Sequence, residues 1–367
     1  MAIIQSKIYK KLSMKNIYKY LIAVAITGLL IVPEQSVKAG NKDRSGQAGV
    51  SELLINPWAS SSGWGGVNIA NVRGLEAMYG NVAGIAYTKS TELIFSHTQW
   101  LKGSDVNIIS FGFTQRVGES GVLGVSITSM SAGDIMITTT TLPEGGIGTY
   151  APALMNVALS YAKTFSNSIT GGLTLRMISE SISDLSANGV GLDAGIQYVT
   201  GEQENIKFGI TLKNIGPRLS FSGDGLTNRV WLTDEDVVFS VNQRQSDFEL
   251  PATLSMGAAY DFLFEKSRFT LAGSFQSNSF TNDQFKVGGE YSFRNLVVLR
   301  AGYSYEEGQT NDIESDERYT LDNGLSAGAS IQVPMNKEKG SILAIDYSYR
   351  ATEHFSGTHS FGVRISL

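Results

Sequence analysis

From His359 to Leu367 the chain alternates without a break. Phe361, Val363, Ile365 and Leu367 fall on one face of a strand, and Ser360, Gly362, Arg364 and Ser366 fall on the other. Successive side chains of a strand point to opposite sides, so one face here is oily and the other wet. A sheet with hydrocarbon on one side and a polar interior on the other satisfies that pattern. A closing strand that stops at an apolar last residue is what a transmembrane β-barrel presents.

The same period recurs along most of the chain. Fourteen strands are expected from it, at roughly 92–100, 106–116, 121–131, 153–165, 169–179, 189–199, 206–214, 252–262, 268–277, 283–293, 297–306, 324–333, 341–350 and 359–367. Val190, Leu192, Ala194, Ile196 and Tyr198 oppose Gly191, Asp193, Gly195 and Gln197. Ile206, Phe208, Ile210 and Leu212 oppose Lys207, Gly209, Thr211 and Lys213. Phe285, Val287, Tyr291 and Phe293 oppose Lys286, Gly288 and Glu290, and Leu299, Ala301, Tyr303 and Tyr305 oppose Arg300, Gly302, Ser304 and Glu306. Charge in hydrocarbon is costly, so every charged strand residue is expected on the non-lipid face. Twelve or sixteen strands are the neighbouring even counts.

Residues 1–39 read as a secretory signal: five lysines between Lys7 and Lys19, an apolar stretch from Leu21 to Val32, and a small-x-small site at Val37-Lys38-Ala39. A membrane anchor that stays attached is the alternative. Six of the 29 basic residues and one of the 34 acidic ones precede Gly40, so the chain from Gly40 onward carries 23 against 33, near −10. That argues against a nucleic-acid partner. There is no cysteine, which excludes disulfides and a lipid-anchored lipoprotein. Apolar residues are 42% of the chain, yet no long apolar run comes after the signal, so a barrel fits better than a helical membrane protein.

The connections alternate in length. Short turns fall at Gly118–Ser120, Ser166–Ser168, Gly201–Asn205, Phe264–Ser267, Arg294-Asn295 and Asn336–Gly340. Longer segments fall at 132–152, 180–188, 215–251, 307–323 and 351–358, with two short connections, 101–105 and 278–282, at that same end. Bacterial barrels place short turns in the periplasm and longer loops outside. An even strand count then puts both barrel ends in the periplasm, where the N-terminus is also expected. Within 215–251 a hairpin is expected from Arg218–Phe221 and Val237–Val241 around Gly223-Asp224-Gly225. Loop 307–323 is acidic, and without EF-hand spacing it reads as a solvated loop.

The inward face is unusually small. Gly112, Gly124, Gly191, Gly195, Gly209, Gly257, Gly288, Gly302, Gly328 and Gly362 all fall on it. Glycine within a strand often marks the close approach of another backbone. A fourteen-strand lumen is too wide for its own side chains to fill. The candidate filler is 40–91, which lacks strand alternation. It carries Asn56-Pro57-Trp58, the flexible Ser60–Gly66 stretch with Gly65 and Gly66, helix-compatible spacing over Val67–Tyr79 (Ile69, Val72, Leu75, Met78), and a turn at Asn81-Val82-Ala83-Gly84. A plug inside the barrel is the expectation, and a periplasmic cap is the alternative.

No catalytic constellation emerges. The three histidines, His97, His354 and His359, lack a third ligand for a metal. Gly118-Glu119-Ser120-Gly121 is a turn without a following helix, so it is no nucleophile elbow. Asp193 and Asp346 point inward without a visible base partner. No cofactor is implied and no enzyme is expected. Trp100, Tyr150, Tyr161, Phe165, Tyr198, Tyr260, Phe262, Tyr291, Phe293, Tyr347 and Tyr349 read as interfacial girdles.

Three segments carry a family resemblance: Ala48–Ile55, Gly65–Val72 and Gly74–Gly84. They resemble the PorV/PorQ family of Bacteroidota outer-membrane proteins, which is similar in turn to the FadL-type transporters. The last segment resembles that family's Asn-Pro-Ala-Gly turn, with Val82 where proline is usual. The resemblance implies an all-β fold: an antiparallel up-and-down barrel of about fourteen strands, FadL-like, with a plug-like N-terminal segment. The sequence patterns divide the chain into signal 1–39, plug or cap 40–91 and barrel 92–367. The resemblance also implies a partner in type IX secretion, either the translocon or exported cargo. The other partners are outer-membrane lipid, lipopolysaccharide and the barrel assembly machinery, for which Phe361, Val363, Ile365 and Leu367 would form the insertion strand. The alternatives are a FadL-like transporter of hydrophobic small molecules, marked by a kinked wall strand and an apolar lumen pocket, and a general porin.

Overall fold

The computed structural model describes residues 40–232, 237–311, 318, 320–336 and 340–367. The signal-like segment and Asp312, Glu314, Asp316 and Glu317 of the acidic loop lie outside the described residues. The strands, in chain order, begin with β1 Thr91–Trp100, β2 Val106–Val117, β3 Gly121–Ser131, β4 Ile135–Met136, β5 Thr149–Tyr150 and β6 Ala153–Thr164. Next come β7 Ile169–Ile182, β8 Leu185–Thr200, β9 Ile206–Ile215, β10 Thr227–Leu232, β11 Val237–Asn242 and β12 Thr253–Leu263. The chain ends with β13 Ser267–Asn278, β14 Gln284–Phe293, β15 Val297–Glu306, β16 Asp322–Asn336, β17 Ser341–Thr352 and β18 Thr358–Ser366.

Fourteen of these close into one antiparallel barrel, and the pairs β4–β5 and β10–β11 are small hairpins in the loops. Closure is by β1 on β18, from Glu92 opposite Ser366 to Gln99 opposite His359. All fourteen strands expected from the alternation are present.

Burial along each strand explains why the chain folds this way. Phe95, Phe111, Ile127, Leu159, Leu192, Ile210, Leu271, Val287, Leu299 and Ile345 stand exposed on the outer wall. Ser110, Thr114, Ser160, Thr174, Ser255, Thr270, Ser330 and Ser348 are buried on the inner one. An outer surface so apolar needs hydrocarbon around it, and the closed ladder leaves no strand edge unpaired there. One strand charge departs from the expected rule: Lys163 is exposed on the outer face, beside Tyr161 at the end of β6. There the long stem reaches past the apolar belt.

Residues 40–90 occupy the lumen as short turns: Lys42–Arg44, Ser51–Leu54, Ala59–Ser62, Asn68–Ala70, Ala77–Gly80 and Val82–Tyr87. The continuous helix expected over 67–79 is broken. Gly74 sits at φ 73, and Glu92 of β1 accepts from the Leu75 amide at 2.9 Å. A Cβ on Gly74 would lie 2.2 Å from Glu92 Oε2, so the strand carboxylate and the helix compete for this stretch of backbone. Likewise Asn81–Gly84 is not an isolated turn but opens the Val82–Tyr87 helix, with Asn81 Oδ1 accepting from Ala83 N at 3.2 Å.

The plug core is Trp58, Leu75, Met78, Val82 and Ile85 against Ile94, Val122, Ala158 and Ala162 of the wall. A second contact sets Trp64, Val67 and Ala70 on Ala259 and Ala272. Each such large side chain contributes roughly 1.5–3 kcal/mol when removed from water. Nine of the ten inward glycines lie against plug atoms, and Gly191 instead faces Leu250. The bare inner wall is therefore a surface for backbone docking rather than a smooth pore.

Four further expectations change. Segment 180–188 is not a long loop, because β7 and β8 run on to a two-residue link at Ser183-Asp184, with Ser181 opposite Ser186. The first hairpin arm in 215–251 is β10, not Arg218–Phe221; Leu219 bridges to Phe248 and Ser222 to Ser186 instead. Gly223, at φ 143, turns the chain away before the arm begins. Trp100 faces the lumen and Tyr150 lies in β5, so neither joins a girdle. Tyr161, Phe165, Tyr198, Tyr260, Phe262, Tyr291 and Phe293 do stand exposed near the short-turn end.

The fourth change concerns the start of the chain. Thr91 and Leu367 lie together at the short-turn end, where the Leu367 amide donates to Thr91 O at 2.8 Å. Residues 44–49 lie at the opposite, long-loop end. Ser45 donates to Phe280 O at 3.2 Å, and Gly49 N to Glu249 O at 3.1 Å. The segment therefore enters among the loops and descends the lumen to reach β1.

Candidate functional site

The plug divides the lumen into two cavities. The larger, about 470 Å³, opens at the long-loop end. Its lining includes the apolar side chains of Leu54, Ile55, Ile69, Trp100 and Met130. Lys213 and Lys286 reach it from β9 and β14. Period two sends both inward, since their strand neighbours Leu212 and Val287 face outward. The Lys213 ammonium lies 4.0 Å from the centre of the Tyr79 ring, and Lys286 Nζ donates to Gln276 Oε1 at 2.9 Å. Neither lysine forms a salt bridge with a described residue. Four other inward cations are paired with carboxylates: Arg176 with Asp193 at 2.6 Å, Lys207 with Asp261 at 2.5 Å, Arg300 with Glu290 at 2.8 Å, and Arg350 with Asp322. Two ammonium groups are thus left for something in the cavity.

The second cavity, about 260 Å³, lies towards the short-turn end and is lined by Arg73, Glu76, Lys207, Arg268, Glu290 and Arg364 among others. Asn68 lines both cavities. It donates to Ser61 Oγ at 3.1 Å, and Ser61 donates to Glu76 Oε2 at 2.5 Å. The Tyr79 hydroxyl donates to Leu54 O. These groups are the partition between the cavities.

The residues singled out in the sequence scatter around this site. Asn56 caps its own turn by accepting from Trp58 N at 3.0 Å, and it lines the large cavity. Pro57 and Trp58 line a smaller void beneath it. Gly65 and Gly66, at φ 66 and 75, line the large cavity. Asn81 is fully buried; its Nδ2 donates to Ile69 O at 3.1 Å and to the strand carbonyls of Ile196 at 3.0 Å and Ile210 at 3.3 Å. Ala83 is buried, and Gly84 packs on Val72 O. Phe361, Val363 and Leu367 are exposed on the outer wall, with Ile365 half-buried beside them. His97 and His359 are not opposite one another: His97 faces Phe361, and His359 faces Gln99. His359 Nδ1 lies 2.9 Å from the Tyr347 hydroxyl. Sequence reasoning misses Lys213, Lys286, Asn68 and Glu76 as site residues. For the two lysines a signal exists, as charge at inward positions.

No family model matches the chain, and no curated protein matches its sequence. Its fold is similar to solved outer-membrane barrels. One is CymD, a monoaromatic hydrocarbon channel, at 13% identity and TM-score 0.52, over 85% of this chain and 97% of that one. Another is the P. putida toluene transporter TodX, at 12% and 0.52, over the same 85% and 97%. A third is a FadL homologue of Pseudomonas aeruginosa, at 11% and 0.50, over 84% and 96%. The molecule is a FadL-like barrel: fourteen strands, an apolar outer belt and an N-terminal plug in the lumen.

Proposed function

We propose that this chain is an outer-membrane transporter of small amphipathic molecules, an apolar body with an acidic head. It would take them in at the loop end and pass them around the plug. The observation that carries this reading is the cavity of about 470 Å³, which sets apolar side chains beside Lys213 and Lys286, neither in a salt bridge with a described residue, with the carboxylates of Glu52, Glu306 and Asp322 elsewhere on the lining. Fold likeness to a hydrocarbon channel and a toluene transporter supports transport as the class of function. In this reading the long loops face outward, the short turns face the periplasm, and lipopolysaccharide surrounds the upper belt. The barrel assembly machinery inserts the chain through its last strand. The protein carries out no covalent chemistry.

The lumen differs from a greasy tunnel, and the β3 ladder is unbroken on both sides. Irregular pairing falls elsewhere, at Leu192/Ala194 between β8 and β9 and at Asp322/Ser326 and Pro334/Asn336 between β16 and β17. The second break borders the large cavity, which Asp322, Leu325 and Ser326 line, and this supports a sideways exit there as part of the proposal.

A type IX secretion role, with translocon or cargo as partner, rests on the PorV/PorQ resemblance. One observation favours it: the β10–β11 hairpin exposes Val230, Trp231, Val238, Phe239 and Val241, a surface suited to a protein. Fluorescence separates the two readings. A brominated medium-chain fatty acid should quench Trp100 saturably, and K213M/K286M should weaken that at least about tenfold, the loss of about 1.4 kcal/mol. Absence of saturable quenching, together with recovery of a translocon barrel in a mild-detergent pull-down, would replace transport by secretion.

A further inference from the structure

Where the plug turn Ser51–Leu54 meets β6 and β7, three side-chain oxygens lie without hydrogen-bond partners although Ser126, Thr128 and Arg176 are near. Glu52 Oε2, Glu180 Oε2 and Asn156 Oδ1 are all shut off from solvent, and none has a hydrogen-bond partner. Asn156 is 8% exposed, more than nine-tenths buried. Glu52 and Asn156 line the same small void of about 30 Å³. That is room for an ion with a water or two. On the wall, Leu154 pairs with Glu180 and Asn156 with Ile178, so Asn156 and Glu180 are diagonal neighbours on the inward face. Glu52 is close enough to Glu180 for its charge to act on it.

Two carboxylates this close, each with an orphaned oxygen, repel unless one takes up a proton or a cation lies between them, and a proton satisfies only one of the orphaned oxygens. Arg176 lines the void, but its guanidinium is committed to Asp193 at 2.6 Å. Turning the Asn156 amide round would give a donor to one carboxylate and leave the like charges facing. A hard cation satisfies all three oxygens, because calcium takes six to eight oxygen ligands and accepts water among them.

We infer that Glu52, Glu180 and Asn156 bind one divalent cation of the calcium class at the seam between plug and wall. Ser51, Glu52 and Leu54 also line the large cavity, so the ion fixes part of its wall.

Trp58 lines the same void, which makes terbium a direct probe. The full chain in detergent is stripped with chelator and titrated with terbium. Saturable luminescence excited through tryptophan is expected, displaced by calcium and abolished in E52Q/E180Q. N156A should weaken it about tenfold. E52Q alone, on a half-buried plug turn, carries the test if the double variant does not fold, and should also weaken binding at least about tenfold. Wild-type protein without calcium-displaceable luminescence, or variants with undiminished signal, would overturn the site.

Discussion

Asn81 shows how much one side chain does inside a barrel of this kind. It ties the plug to itself and to the carbonyls of two wall strands, Ile196 and Ile210. The Cβ of any residue replacing Gly195 would fall 2.1 Å from Asn81 Oδ1, so that glycine exists to admit the amide. Replacing Asn81 by leucine leaves the Ala83 amide without its acceptor, at about 1–3 kcal/mol for an orphaned buried group. The expected outcome is a lower unfolding temperature by heat-modified gel mobility with the barrel still formed. An unchanged temperature would remove Asn81 from this role. Glu249 gives a pH-dependent counterpart at the loop rim. Arg44, with Arg218 beside it, holds its carboxyl below the ordinary range. Because the folded value is the lower one, the contribution is complete above the unfolded-chain value, about 4.3, and is lost as pH falls through the folded value. Protection of the Gly49 amide against hydrogen exchange should therefore drop below roughly pH 4. E249Q should lower it already at neutral pH. Protection that ignores both changes would show that the clamp does not hold the segment. Glycine and asparagine in 40–91 were legible as unlike strand; which carbonyls Asn81 would reach was not, since β8 and β9 lie more than a hundred residues away.

At the scale of elements, the strands were legible because a period of two is a local property, and a lipid-facing wall enforces it at every turn of the chain. The plug was legible only as an absence of that period. Its spacing of Ile69, Val72, Leu75 and Met78 mimics a helix, yet Glu92 on β1 captures the Leu75 amide and Gly74 breaks the run. A tertiary contact thus overrides a local pattern. The β10 arm escapes the sequence for a related reason: Arg218–Phe221 alternates as well as a strand does, but Leu219 is taken by Phe248. The fit of the plug leads to a prediction about conduction. With Trp58, Leu75 and Ile85 filling the middle of the lumen, wild-type protein in a planar bilayer should pass only small, infrequent currents. Excision of 51–87 with a short glycine-serine link should give stable openings of porin size. Large currents from the intact chain would instead favour the general porin reading.

The whole molecule is threaded, and that could not be read from strand counting. An even number of strands fixes where β1 begins and β18 ends, at one rim. It does not fix where the filler starts. The contacts of Ser45 with Phe280 and of Gly49 with Glu249 place that start at the far rim, among the long loops. If those loops face outward, the chain just after the signal-like segment is displayed at the cell surface, although both barrel ends face the periplasm. The absence of native cysteine makes this directly measurable. Gln47→Cys, exposed at the loop rim, and Asn167→Cys, exposed in the β6–β7 turn, should report opposite sides. On intact cells a membrane-impermeant maleimide is expected to label the first within minutes and the second only after the outer membrane is opened. Labelling of the second alone would invert the barrel, and with it the direction of transport. Labelling of neither on intact cells, and both after opening, would mean that the plug leaves the lumen in the membrane-inserted protein, and the two-cavity route would fall with it.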